Sequence, residues 1–221
     1  MYKRQVLEAL GVNIDIDEAT FTTCLDGAGV AFMFARSHHS AMRHVASIRA
    51  KLGIRTIFNL LGPLTNPAGA EYQILGVSEA KWVRPMAETL RALGTVRAMI
   101  VHGIDGIDEI SISGDTLVAE IGHGEINEYT LTPAMLGLRV SSLSALAGGA
   151  PEHNATAIRA LFDGEKNAFR DCVAANAGAG LYLLGRTSDL VGGVKMAEAA
   201  IDNGHAKEAL DALVSLSNKG A

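Results

Sequence analysis

Three carboxylates crowd one short stretch of this chain. The run His102-Gly103-Ile104-Asp105-Gly106-Ile107-Asp108-Glu109-Ile110-Ser111 places Asp105, Asp108 and Glu109 within five residues, beside Gly103 and Gly106. Hard oxygen donors in a glycine-bearing loop suit Mg²⁺, which takes one or two carboxylates, keeps several waters and accepts substrate phosphate oxygens. Neighbouring side chains on a regular strand face opposite ways. Asp108 and Glu109 therefore share a site only if the backbone there is irregular, or else each serves a different ion. A solvated turn with acidic caps is the plainer alternative.

A second group of candidates lies in residues 38–52. Ala41, Val45, Ile48 and Leu52 recur at helical spacing and Gly53 ends the pattern. Arg49 then lies at the flank of the apolar stripe, and Arg43 on the opposite, solvated face. An arginine at the edge of a buried stripe presents a planar fork suited to a carboxylate, with His38 and His39 as nearby donors. A helix with snorkelling arginines gives the same pattern. Other chemistries find little support. His38, His39, His44 and His102 lack the spacing and cysteine partners of a zinc site. Cys24 and Cys172 have no identifiable histidine partner and read as small buried hydrophobes. Neither a dinucleotide-binding glycine fingerprint nor a Walker loop is present.

The elements that must position these residues read as α/β: a mainly parallel central sheet flanked by helices. Residues 6–11 look like the last turns of a helix closed by Gly11, and residues 17–25 like a helix capped by Asp15 or Asp17 and stopped at Gly27. The apolar run 30–35 has the length and composition of a buried parallel strand. Gly-Pro and Asn-Pro dipeptides mark 59–67 as a loop. Strands are expected at 72–77, 97–101, 109–112, 117–121 and 125–131, with a helix over 80–93. From Pro151 the pattern turns helical: one helix to Gly164, a long Ala- and Gly-rich one over 167–184 with Gly178 and Gly180 as packing glycines, and two more over 189–203 and 205–217. Such sheets bind ligands beyond the carboxyl ends of their strands, which points to the loops after residues 35, 77 and 101.

Composition narrows the class. The 221 residues are 48% hydrophobic and 19% charged, with 24 Gly and 5 Pro, which excludes disordered and collagen-like chains. A net charge of −5 argues against binding nucleic acid. No apolar run is long enough to span a bilayer, and residues 1–5 do not open a secretory signal, so a cytoplasmic protein is expected. The chain starts in what reads as the middle of a helix, which suggests a missing N-terminus.

The run Gly53-Ile54-Arg55-Thr56-Ile57-Phe58-Asn59-Leu60-Leu61-Gly62-Pro63-Leu64-Thr65-Asn66-Pro67 closely resembles a hallmark of the anthranilate phosphoribosyltransferase family. Residues 6–12, 32–49 and 102–111, Gly148-Gly149 leading to Asn154, and Asn176 are similar to the family as well, so that the resemblance covers residues 6–221. It implies an enzyme in which Mg²⁺-bound phosphoribosyl diphosphate meets anthranilate between a small helical domain and a larger α/β domain. The products are N-(5-phosphoribosyl)anthranilate and diphosphate, in tryptophan biosynthesis. Carried over residue by residue, Asp108 and Glu109 correspond to the acidic metal-binding pair and Arg49 to the arginine that contacts anthranilate. His39, Met42, Gly62 and Pro63 correspond to positions lining the same channel, and no direct acid or base is implied. Ser40 and Met42 stand where the family often has proline and can have an aromatic residue.

The resemblance also divides the chain. Residues 1–5 form a leader that matches nothing, 6–37 start the α/β domain, 38–67 belong to the small helical domain and hinge, and 68–221 complete the α/β domain. The family carries a Gly-Thr-Gly-Gly-Asp phosphate loop and a Lys-His-Gly-Asn segment ahead of the position of Val6. The expectation is therefore a truncated, inactive fragment of a protein that is a homodimer when complete. Two rivals share the architecture. A pyrimidine-nucleoside phosphorylase is disfavoured by the 59–67 and 105–109 runs, and a non-catalytic nucleic-acid-binding relative by the net charge of −5.

Overall fold

A computed structural model of the chain describes residues 3–34, 58–66 and 68–219. These divide between two compact units. The α/β class holds, with a central sheet flanked by helices.

The unit holding residues 61–147 and 165–200 contains the sheet. Strand β1 (Tyr72–Gly76) leads through a 3₁₀ turn and a helix (Val83–Ala92) into β2 (Arg97–Gly103), which pairs with β1 in parallel. Strands β3 (Thr116–Gly122) and β4 (Glu125–Leu131) add antiparallel pairings, giving the order β1-β2-β3-β4. The expected parallel geometry is thus the β1–β2 unit. The antiparallel part follows from a two-residue connection, His123-Gly124, with both residues at positive φ (52° and 79°) as a tight hairpin turn requires. Beyond Arg97 every residue of β2 is buried, because helices cover both faces of the sheet. Met99 and Val101 of β2 share a core with Val118, Leu131, and the helices Ala168–Leu183 and Leu190–Asp202. Ile110 and Ile112, both fully buried in that core, anchor the acidic segment; each is worth about 1.5–3 kcal/mol.

Those last two helices pack backbone to backbone. A Cβ built on Gly178 would lie 2.5 Å from Val194 N, and one on Gly193 would lie 2.2 Å from Gly178 O. The packing role expected of Gly178 is therefore explicit, whereas Gly180 meets only the tip of Ile74, at 3.8 Å. A polar knot ties the long helix to the sheet. Glu120 accepts from Arg97 (3.3 Å), Tyr182 (3.0 Å) and Tyr129 (2.8 Å).

The other unit packs helices Lys3–Leu10, Glu18–Ala28, Pro151–Phe162 and His205–Ser217. Val12, Ile14 and Ile16 alternate inward to meet Cys24 and Leu213. Gly11 closes the first helix at φ 97°, and Asp17 caps the second through the Thr20 amide at 2.8 Å. Gly27 does not stop that helix. It faces Leu216 inside the last turn, and the left-handed cap is Gly29.

Three further expectations are corrected. Residues 30–34 are not a strand: Val30 is exposed, no ladder partner exists among the described residues, and Phe32 and Phe34 stack at 6.4 Å instead. The stretch expected as a loop at 59–67 contains a short helix, Phe58–Leu64, with Pro63 near its end, where a missing N–H removes only one bond of a short ladder. Residues 109–112 form irregular backbone rather than a strand, for reasons that belong to the site. The proposed helix over 38–52 lies outside the described residues.

Candidate metal centre at the end of the second strand

β2 delivers the chain to the acidic segment at its carboxyl end. Gly103 accepts from the Gly106 amide (2.8 Å) and donates to Ile107 O (3.0 Å), folding residues 103–107 into a tight turn. Asp105 is absorbed in holding that turn. It accepts from Ser111 Oγ (2.6 Å), from the Ser113 hydroxyl and from the Ile107 amide. Burial pushes its carboxyl up, but these donors together outweigh burial and keep it below the usual carboxylate range. Ser111 Oγ also accepts from the Ser113 amide (2.9 Å), and Thr116 Oγ1 from the Ser111 amide (2.9 Å). Side chains thus take the backbone bonds that a strand ladder would have used, which is why residues 109–112 stay irregular.

Of the three carboxylates, only Asp108 and Glu109 remain exposed, with no hydrogen-bond or ion-pair partner among the described residues. They are displayed on the irregular backbone that a shared site needs. Two outside groups fix that backbone. Gly76, at the end of β1, lies so close that a Cβ there would fall 1.6 Å from Asp108 O. From the long helix, Asn176 Oδ1 accepts from the Ile110 amide (2.9 Å), while its Nδ2 donates to Ile110 O (3.1 Å) and Cys172 O (2.9 Å). His102 is buried and its Nδ1 donates to Val77 O at 2.9 Å, so that nitrogen locks β2 to the end of β1 rather than facing a ligand. Burial, reinforced by the charges of Glu109 and Asp105, pushes the Cys172 thiol up to about 11, which leaves it inert as a nucleophile.

No group of three or more His, Cys, Asp and Glu that could enclose a metal occurs among the described residues. Two adjacent, unpartnered carboxylates at a strand end instead make an open platform. That donor set fits Mg²⁺ completed by waters and phosphate oxygens, and does not fit a closed structural zinc site.

The remaining candidates fall elsewhere. Gly62 and Pro63 sit in the short helix, and Pro63 lines a cleft of about 150 Å³ with Gly69, Gln73, Leu90 and Thr95, at the amino ends of β1 and β2. The acidic segment follows the carboxyl end of β2, whereas this cleft borders the amino ends of β1 and β2. Arg49, His39 and Met42 lie outside the described residues. Sequence reasoning missed the roles of Gly76 and Asn176; the signal for Asn176 was a lone amide within an Ala- and Gly-rich run.

A family model described as "Glycosyl transferase family, a/b domain" matches residues 4–207. A relative from Hyphomonas neptunium named anthranilate phosphoribosyltransferase is 58% identical over 214 residues, covering 97% of this chain and 63% of its own length. One of the same name from Parvibaculum lavamentivorans is 51% identical, with 96% and 62% covered. The crystal structure of anthranilate phosphoribosyltransferase from Thermus thermophilus superposes with a TM-score of 0.89 at 45% identity, covering 97% of this chain and 64% of that one. The Saccharomyces cerevisiae enzyme in complex with PRPP and Mg gives 0.87 at 27% identity, with 98% and 62% covered. The chain therefore spans somewhat less than two thirds of the length of the relatives it matches. On this match, and on the strand-end architecture described above, the chain belongs to the glycosyl transferase family through its α/β domain.

Proposed function

We propose that the chain carries the metal- and diphosphate-facing part of an anthranilate phosphoribosyltransferase. The reaction moves the 5-phosphoribosyl group from phosphoribosyl diphosphate to anthranilate and releases diphosphate. The observation that carries this reading is the irregular strand-end segment displaying Asp108 and Glu109 without a hydrogen-bond or ion-pair partner among the described residues, in a chain similar to proteins of that name. Asp108 and Glu109 hold Mg²⁺, which when bound supplies charge neutralisation at a diphosphate leaving group. The aromatic amine is already a nucleophile near neutral pH, so no protein residue is assigned as acid or base. Arg49 orients the anthranilate carboxylate, and His39, Met42, Gly62 and Pro63 line its channel. What the protein supplies is positioning. A cytoplasmic homodimer is the assembly the same reading implies.

The sequence contains no Gly-Thr-Gly-Gly-Asp run, so the 221 residues alone are expected to turn over poorly. The test follows loss of anthranilate fluorescence with phosphoribosyl diphosphate and Mg²⁺. It compares the chain alone with a version joined to the N-terminal segment of the Hyphomonas neptunium relative. In the joined protein, Asp108→Asn or Glu109→Gln should lower turnover at least about tenfold, partly rescued by excess Mg²⁺. Wild-type kinetics in both variants would remove the two residues from the site, and robust turnover by the chain alone would show that the glycine run is dispensable.

The same assay separates the two helical arginines. Arg49→Ala should raise KM for anthranilate by about tenfold or more, with a much smaller effect on phosphoribosyl diphosphate. Arg43→Ala should leave both near wild type. Equal effects would mean that the helical-face assignment is wrong.

A further inference from the structure

We infer that Asn176 is a positioning residue for the metal-binding segment: a side chain on the long helix sets metal affinity without reaching the metal. The inference rests on the assignment of Asp108 and Glu109 as the metal-holding pair. Its basis is a two-way bond. One amide group both accepts from the N–H of Ile110 (2.9 Å) and donates to its C=O (3.1 Å), and so fixes the peptide units on both sides of that residue. Glu109 is the preceding residue, its carbonyl carbon belonging to the peptide whose N–H is held. A third bond, to Cys172 O at 2.9 Å, fixes the amide itself against its own helix. Asn176 thereby links the acidic segment to a residue 66 positions away, on a helix whose neighbours Ala174, Ala175, Gly178 and Ala179 are buried.

The clamp is needed because the segment has no ladder. Residues 107–112 lack strand pairing, and the Asp105–Ser111 and Ser111–Ser113 bonds close the segment from both sides of Ile110 without engaging its own N–H and C=O. Without Asn176, the Ile110 peptide groups lose their partner and the two carboxylates no longer hold a common orientation. Groups that orient ligands from behind typically contribute about ten- to a hundredfold to metal affinity.

The comparison residue is Asn154. It makes the same kind of two-way bond, accepting from the Gly149 amide (2.8 Å) and donating to Gly149 O (3.0 Å), in a segment that carries no metal-binding residue. The experiment titrates the 221-residue chain with Mn²⁺ and follows paramagnetic broadening of the Asp108 and Glu109 amide resonances, well below the melting temperature of each variant. Asn176→Ala should weaken Mn²⁺ binding about tenfold and Asn154→Ala should leave it unchanged. Equal effects of the two would reduce Asn176 to a generic structural residue and overturn the inference. If Asp108→Asn and Glu109→Gln leave the broadening untouched, it is the underlying site assignment that fails.

A second measurement needs no variant. Linkage requires a metal that favours the clamped segment to protect the clamp in return. Saturating Mg²⁺ should slow hydrogen exchange of the wild-type Ile110 amide severalfold while the Gly149 amide is unaffected. An Ile110 exchange rate indifferent to Mg²⁺ overturns the inference even if Asn176→Ala does not fold.

Discussion

Gly76→Ala is expected to cost more activity than removing either Asp108 or Glu109, the pair proposed to hold the metal. A methyl group at that position falls 1.6 Å from the carbonyl oxygen of Asp108, and the obstacle is backbone, not the tip of a flexible side chain. β1 cannot yield easily: Gly76 pairs with Val101 in the parallel register, and Val77, just beyond it, bonds both Val101 and His102. The acidic segment must therefore move, by more than about 1 Å, and misplacement of that size can lower turnover about a hundredfold. Asp108→Asn leaves Glu109 in position and Glu109→Gln leaves Asp108, whereas the added methyl displaces both. Turnover of the joined protein and Mn²⁺ broadening in the 221-residue chain should fall together, with the far-ultraviolet circular dichroism unchanged. Gly76→Ser should do the same, since the Cβ is the cause. Normal turnover with alanine at this position would mean that the acidic segment tolerates displacement and is not where catalysis is decided.

The acidic cluster was legible in the sequence, but its spacing alone did not divide the labour; only the family resemblance set Asp108 and Glu109 apart from Asp105. Asp105, Asp108 and Glu109 look equivalent along the chain. Only when Ser111 and Ser113 fold back does Asp105 become a strut and leave the other two free. Side-chain oxygens also explain why residues 109–112 deceived a strand pattern: alternating isoleucines do bury, as Ile110 and Ile112, while threonine and serine oxygens occupy the amides of Ser111 and Ser113. No role for Gly76 was legible in the sequence, and Asn176 was marked only as a lone amide in an Ala- and Gly-rich run, because both act across long separations on backbone groups.

Elements that carry their own stop and start signals were read well. Pro151 opens a helix as expected, Gly164 terminates its last turn at φ 97°, and Asn167 caps the next helix through the Arg170 amide at 2.9 Å. β2 was legible as an apolar run because both of its faces are covered. The equally apolar run at 30–34 was not a strand, because a strand needs a partner and composition does not supply one. At 58–64 the turn dipeptides were real, but a single proline near a helix end does not prevent the turns before it.

Gly193→Ala should produce a large loss of stability in the sheet-bearing unit. The helices Ala168–Leu183 and Leu190–Asp202 meet where Gly178 and Gly193 bring backbone against backbone. A Cβ on Gly193 would lie 2.2 Å from Gly178 O and 2.8 Å from its carbonyl carbon, so relief requires separating the helices. That separation opens the core at Ala175, Ala179, Val194 and Ala197, all buried and all contributing contacts that fall off steeply with distance. Alanine is the better helix former by about 1 kcal/mol, but overpacking against a rigid backbone costs about 3 kcal/mol or more and wins. The expected net loss, about 2 kcal/mol, lowers the melting midpoint by about 4–8 °C for a chain of this size. Gly180→Ala is the internal control, since the atom its Cβ meets is Ile74 Cδ1 at an ordinary 3.8 Å; it should be neutral or slightly stabilising through helix propensity. A thermal melt of the three proteins decides the matter. If Gly193→Ala melts with the wild type, the two helices do not cross as closely as their glycines imply, and the long helix that carries Asn176 is held against the sheet by the Tyr182 and Arg97 contacts with Glu120 instead.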